Sequence, residues 1–391
     1  MKRLKILLLL FLSILLCSLS SASQAKIHTL RELYKSGKIT LKPILKISLD
    51  SIPDRISAKM MSELMPGKDK LYVSDSGVHD IKSFRLDGTF YKKFGIKGRG
   101  PGDTYLPRYM CLSNDRLVVW EIGNRRFSFF ALDGKFLKIE KYQLKSQEQV
   151  VGIKGLDDGR IILETIAIEL NKEKRDAFEW HVLTLYSCEM KYIKEIYRQK
   201  EHSFKYFENA NPPRIGLPFR PQLLWDILRG NKIAVGFSDK YEIKLIDINT
   251  GVTKSFSHSK TPVQVTDKDK QKYLDLVLSY LEKDENLKLM KFMRDNVTFP
   301  SFKPIFKKIR CDIEGHILVF LDSNSDEGGN IQYSDAFDVF DDQGKMINHV
   351  TITNREFSAD MLFSVNNNEF WFRESEKKDS FDLFFMKYLV M

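Results

Sequence analysis

A six-bladed β-propeller is the fold class this sequence predicts, and three observations carry the prediction. Two stretches are nearly superimposable: Lys70-Leu71-Tyr72-Val73-Ser74-Asp75 leads to Phe84-Arg85-Leu86-Asp87-Gly88, and Arg116-Leu117-Val118-Val119-Trp120-Glu121 leads to Phe130-Ala131-Leu132-Asp133-Gly134, a step of 46 residues. Four short strands joined by tight turns fill a period of that length in a propeller blade. Six polar turns open directly into apolar strands, at Leu71, Leu117, Ile161, Ile233, Ile317 and Phe370, separated by 46, 44, 72, 84 and 53 residues. The last unit has only three strands, ending with 381–390, while the alternating stretch Pro43 to Leu49 belongs to no unit. Adding 43–49 to the outer edge of the sixth blade closes the ring and covers an exposed strand edge.

Composition agrees with β structure. Hydrophobic residues make up 43% of the chain, enough for a core, and the 28 Phe and 15 Tyr favour pleated surfaces over helix.

The elements follow in order. Met1-Lys2-Arg3-Leu4-Lys5 is a basic start, Ile6 to Cys17 an apolar run, and Ser23-Gln24-Ala25 a small-residue cleavage pattern, so residues 1–25 read as a signal peptide and 26–391 as one propeller domain. Two alternatives stay open: an uncleaved anchor, although 12 apolar residues fall short of the roughly 20 that span a bilayer, and a lipoprotein modified at Cys17, although Leu16 before it is large. Removal of Lys2, Arg3 and Lys5 lowers the net charge from +10 to +7. An exported protein of that charge meets anionic glycans, lipid headgroups or acidic proteins rather than nucleic acid.

Asp87-Gly88, Asp133-Gly134, Asn249-Thr250-Gly251 and Asp342-Gln343-Gly344 supply the glycine that a tight hairpin needs at positive φ. The third unit carries Ser187-Cys188-Glu189-Met190 there, which predicts a looser hairpin. Residues 201–226, with Pro212, Pro213, Pro218 and Pro221, read as a long ordered loop. Residues 266–295 read as a helical insertion, with Thr266 as N-cap and Tyr273, Leu274, Val277, Leu278 and Leu281 at helical spacing. It is either a lid over the central channel or a helix packed on the rim. Asp322, Asp326 and Glu327 form an acidic loop without EF-hand spacing.

Phe94-Gly95-Ile96-Lys97-Gly98-Arg99-Gly100-Pro101-Gly102-Asp103, followed by Leu106-Pro107, resembles the G-x-G-P-G-E/D-F…P turn of secreted bacterial six-bladed β-propellers, relatives of the NHL and TolB-like propellers. Glu121-Ile122-Gly123-Asn124-Arg125-Arg126-Phe127 is similar to the NHL-type D-x-x-N-x-R-I loop, with Glu in place of Asp. Two of the six units match closely and the others in rhythm. The resemblance implies the fold and an interblade role for the glycine-rich turn; it implies no catalytic residue.

Chemistry-bearing motifs are sparse. Cys111, Cys188 and Cys311 form no Cys-x-x-Cys pair, and no histidines stand at zinc-motif spacing. The glycine-rich run lacks the Lys-Ser/Thr and the helix of a phosphate loop, and no Gly-x-Ser-x-Gly elbow occurs. The repeat residues are accounted for by turns and packing, which leaves function to the unrepeated parts: channel-mouth loops, the proline-rich stretch and the helical insertion.

The expectation is therefore a monomeric, exported, periplasmic or envelope-associated protein that binds or scaffolds rather than catalyses. It has no cofactor and no membrane span in the mature chain. Its ligand, an envelope protein or an anionic glycan or lipid headgroup, sits at the channel mouth near Arg99, Asn124, Arg125 and Arg126. The NHL-type resemblance adds an alternative, a metal-dependent lactonase or lyase holding calcium or zinc in the channel through Asp75, His79, Glu121 and Glu164. In that reading Asp75 and Glu121 compete with a simpler role, satisfying backbone or arginine partners in the interblade loops.

Overall fold

The computed structural model describes residues 29–48, 63–144, 148–171, 173, 176–206, 214–282, 287–321, 336–353, 362–366, 369–375 and 383–390. The signal segment 1–25 with Cys17, Pro212 and Pro213, the acidic loop of Asp322, Asp326 and Glu327, and the turn Asn367-Asn368 lie outside the described residues.

A short helix α1 (Leu30–Lys35) is opened by a capping box, in which the Thr29 side chain accepts from the Glu32 N–H and the Glu32 carboxylate accepts in return from the Thr29 N–H. Strands β1 (Lys38–Ile39) and β2 (Leu41–Ser48) follow. The first two units give four-stranded antiparallel sheets: β3 (Glu63–Pro66), β4 (Lys70–Asp75), β5 (Asp80–Arg85) and β6 (Phe90–Phe94), then β7 (Pro107–Ser113), β8 (Arg116–Glu121), β9 (Arg126–Ala131) and β10 (Phe136–Lys141). The third sheet has five strands: β11 (Glu148–Gly155), β12 (Ile161–Asn171), β13 (Asp176–Tyr186), β14 (Tyr192–Tyr206) and β15 (Arg214–Gly216). The fourth comprises β16 (Leu223–Leu228), β17 (Lys232–Phe237), β18 (Glu242–Asp247) and β19 (Thr253–Ser257).

Helices α2 (Asp267–Glu282) and α3 (Leu287–Asn296) come next. The fifth sheet contains β20 (Phe306–Cys311), β21 (Ile317–Leu321), β22 (Ala336–Phe340) and β23 (Met346–Ile352), with β1 added in parallel against β23. The sixth contains β24 (Leu362–Asn366), β25 (Glu369–Ser375) and β26 (Leu383–Val390), and β2 pairs antiparallel with β26 from Leu41 opposite Val390 to Ser48 opposite Phe384.

Second strands such as β4 and β8 are buried at five consecutive positions, not at alternate ones. Both faces of such a strand are covered, because each sheet packs against a neighbour on either side. The apolar clusters have the same logic. Tyr72, Ile81 and Phe94 of the first sheet meet Met110, Val119 and Phe130 of the second. Similar clusters join the second sheet to the third, the third to the fourth, the fourth to the fifth, and the fifth to the sixth. A further cluster joins Ile47 and Trp371 of the sixth sheet to Leu64, Leu71, Val73 and Phe84 of the first. Among the first strands, β3 lies against β7, β7 against β11, β16 against β20, β20 against β24, and β24 against β3.

Three expectations change. The hairpin at 187–190 is tight: Met190 takes φ +57° where the first, second, fourth and fifth units use glycine, and its N–H donates to the Ser187 carbonyl at 2.9 Å. The described part of 201–226 is largely strand, since β14 runs on to Tyr206 and only 217–222 connects β15 to β16. The insertion 266–295 is two helices rather than one. The Thr266 cap does form, its hydroxyl accepting from the Asp269 N–H at 3.2 Å while Asp269 accepts from the Thr266 N–H at 2.9 Å.

Candidate functional site

The residues singled out around the glycine-rich turn are placed together, and they bind one another. Glu121 is fully buried at the end of β8 and accepts from Arg126 Nε at 2.9 Å, from the Tyr105 N–H at 2.9 Å, from Asn124 Nδ2 at 2.5 Å and from the Ser128 hydroxyl. Arg126, buried at the start of β9, spends its other nitrogens on the carbonyls of Arg99, Gly100 and Asp103 at 2.8, 3.1 and 2.8 Å. Asn124 also donates to the Gly98 carbonyl at 3.0 Å. The loop from 98 to 103 is thereby latched to the second sheet, and the charge of Arg126, expected at the surface, is consumed inside. Only Arg99 and Arg125 of the four expected binding residues extend exposed side chains. Of the three arginines in that set, Arg126 is the one turned inward.

The first sheet repeats the device with exchanged residue types. Asp75 accepts from the Gly77 and Val78 N–H groups at 2.9 and 3.3 Å, and Lys82, fully buried, lies 3.4 Å from Asp75 and 2.5 Å from Asp80. His79 accepts from the Leu106 N–H on Nδ1 at 3.2 Å, and partial burial and the Lys97 charge hold its imidazole below the ordinary value. Glu164 lies apart, on β12. Asp75, His79, Glu121 and Glu164 are therefore each engaged locally and do not form a ligand group of three among the described residues.

A different cluster, unmarked by any motif, lies on the third sheet. Glu179 and His181 are two residues apart on β13 and share a face, and Glu201 of β14 stands directly opposite Glu179. Like charges so opposed repel. His181 and Arg220 answer them. His181 Nδ1 bonds Glu164 Oε1 at 2.9 Å, and its Nε2 faces Glu201 at 3.2 Å and Glu179 at 3.9 Å. Arg220 Nη1 lies 3.0 Å from Glu179 and 2.8 Å from Glu201. Burial works against a charge on His181, but the Glu164 bond and the Glu201 carboxylate outweigh it and raise its pKa to about 9. Glu164 also accepts from Trp225 Nε1 of β16 at 2.7 Å, which ties the cluster to the fourth sheet. The alternation Glu179-x-His181 was the available sequence signal, but Glu201 is joined to it only by strand pairing.

Arg220 also borders a groove of about 310 Å³, lined by His202, Lys205, Leu217, Pro218, Pro221, Thr298, Phe299 and Pro300. Its walls are the prolines before β16 and the segment after α3. Phe219, Tyr273 and Phe299 hold those segments together, with ring centroids 5.7 to 6.4 Å apart. Lys303 pairs with Asp269 at 2.7 Å beneath them, both buried. Asp176 pairs with His202 at 3.1 Å and with Lys205, so the groove lining combines apolar residues with ion-paired ones.

A further polar group gathers on the first strands. Lys154 pairs with Asp226, which also accepts from the Cys311 N–H at 2.9 Å. Against burial, the charges of Lys154 and Arg310 hold Asp226 below the usual carboxylate range.

No family model and no curated protein matches the chain. Solved structures do. A candidate exported protein from Bacteroides fragilis is 12% identical with a TM-score of 0.49, covering 91% of this chain and 96% of its own. A member of the DUF4221 family from Bacteroides vulgatus is 12% identical with a TM-score of 0.47, covering 91% and 99%. A streptogramin B lyase is 11% identical with a TM-score of 0.42, covering 90% and 98%. Among the described residues no helix is long and apolar enough to cross a membrane. By its own packed antiparallel sheets, the protein is an all-β propeller, mostly strand with few helices.

Proposed function

We propose that this chain is an exported six-bladed propeller of the cell envelope that binds a partner in the groove its insertions build, rather than at the basic loop of the second unit. The six sheets are read as blades of one ring sealed by β2 on β26. The cluster between sixth and first sheets and the contact of β24 with β3 support that reading. Export rests on the basic start, apolar run and small-residue pattern of residues 1–25.

One observation carries the location. The groove is lined by Leu217, Pro218, Pro221, Phe299 and Pro300, none of which belongs to the repeat, together with the ion-paired His202, Lys205 and Arg220. A concave apolar site with a few polar groups at its edge is the usual form of a binding seat. Of the three arginines expected to bind through charge, Arg126 is instead consumed in the Glu121–Arg126 latch.

A photoreactive benzoylphenylalanine replacing Phe299 in native cells tests the reading, with Tyr91, exposed on β6, as the control position. A discrete crosslinked envelope component at 299 and none at 91 is expected. No adduct at 299, or the same adducts at both positions, contradicts the groove as the seat.

A further inference from the structure

We infer that Glu179, His181 and Glu201 form a binding site for one divalent transition ion of the zinc class. The inference is independent of the groove's occupant.

The geometry has three parts. One ligand atom from each residue lies within 4.8 Å of the others. In a tetrahedral site with metal–ligand bonds of about 2.0–2.2 Å, neighbouring ligand atoms stand about 3.4 Å apart. The His181 to Glu201 separation of 3.2 Å already fits, and the 3.9 Å to Glu179 requires a closure of about half an ångström.

The second part is orientation. Nδ1 of His181 is bonded to Glu164, whose other oxygen is fixed by Trp225. A carboxylate behind a histidine in this way sets the ring and directs Nε2 forward as a ligand. Nε2 points at the two remaining carboxylates.

The third part is a deficit. Glu201 is 2% exposed, yet neither of its carboxylate oxygens makes a hydrogen bond of good geometry, and neither does Nε2 of His181. Arg220 and His181 reach Glu201 only as ion-pair neighbours. A buried carboxylate normally accepts several hydrogen bonds. Three carboxylates face two cations, Arg220 and the protonated His181, so net negative charge remains, and a dication that takes the place of the His181 proton suits the site better than an anion. One nitrogen and two oxygen donors favour a zinc-class ion over calcium, which prefers six or more oxygens. Arg220 is then a competitor of the ion for the same two carboxylates.

The test uses the full mature chain, stripped of metal and titrated with Zn²⁺, and with Co²⁺ for its visible absorption. One ion per chain is expected. His181→Ala and Glu201→Gln each weaken binding at least tenfold, while His349→Ala, altering an exposed histidine on β23, leaves it unchanged. Arg220→Met tightens binding at least tenfold because the competing guanidinium is gone. This variant keeps the test decisive if the cluster variants fail to fold. Binding that is not saturable at one ion, that survives H181A, or that R220M weakens overturns the site.

Discussion

Glu63, on β3, shows how one side chain couples the folded state to pH. Its carboxylate accepts from the Met110 N–H at 2.6 Å, and burial pushes its pKa up from 4.5 to about 8, against the opposing charges of Lys154, Arg310 and Arg108. A carboxyl whose pKa is raised by folding binds more protons in the native than in the unfolded state, so stability falls as pH rises between the two values. Part of the residue stays accessible, which makes the effect smaller than a dry site gives. Between pH 5 and pH 8 this group is expected to cost about 1–3 kcal/mol. Glu63→Gln removes that slope, so the variant gains on the wild type as pH rises. Urea midpoints at the two pH values measure it, and an unchanged pH slope in E63Q rejects the assignment.

The interblade latch is the element on which sequence reading and structure differ most usefully. Glu121 and Arg126 were recognisable as special residues, but their spacing does not tell whether an arginine five residues on points outward or back. Strand pairing decides: Glu121 and Arg126 are opposed across the β8–β9 turn, so the pair closes on itself. Arg126→Met leaves Glu121 buried without its cation and is expected to cost about 3–5 kcal/mol in urea unfolding, much of it recovered by adding Glu121→Gln. A loss under about 1 kcal/mol, or no recovery, contradicts the latch. The hairpins at Gly88 and Gly134 were legible because positive φ selects glycine. Met190 was not, because nothing in a Ser-Cys-Glu-Met sequence marks a methionine for φ +57°. The Glu179–His181–Glu201 cluster was hidden for another reason: its third member, Glu201, is brought in by pairing with Glu179, 22 residues away.

For the whole molecule, the period of 46 residues made the all-β propeller class readable, while the sealed ring is the proposal built on it, because edge strands must be covered and one unassigned stretch was available. The groove was not readable in that way; it depends on how Pro218, Phe219 and Phe299 meet across segments that have no repeat to align them. The central claim is that the sheets form a ring sealed where β2 lies on β26. The most direct measurement places cysteines at Lys46 and Met386, which are register partners, in a chain carrying Cys188→Ser, and maps disulfides by mass spectrometry after mild oxidation. The ring predicts a 46–386 bridge within one chain and little or none when the second cysteine is moved to Leu383. No bridge, a bridge between chains, or equal yields at 386 and 383 would contradict the seam.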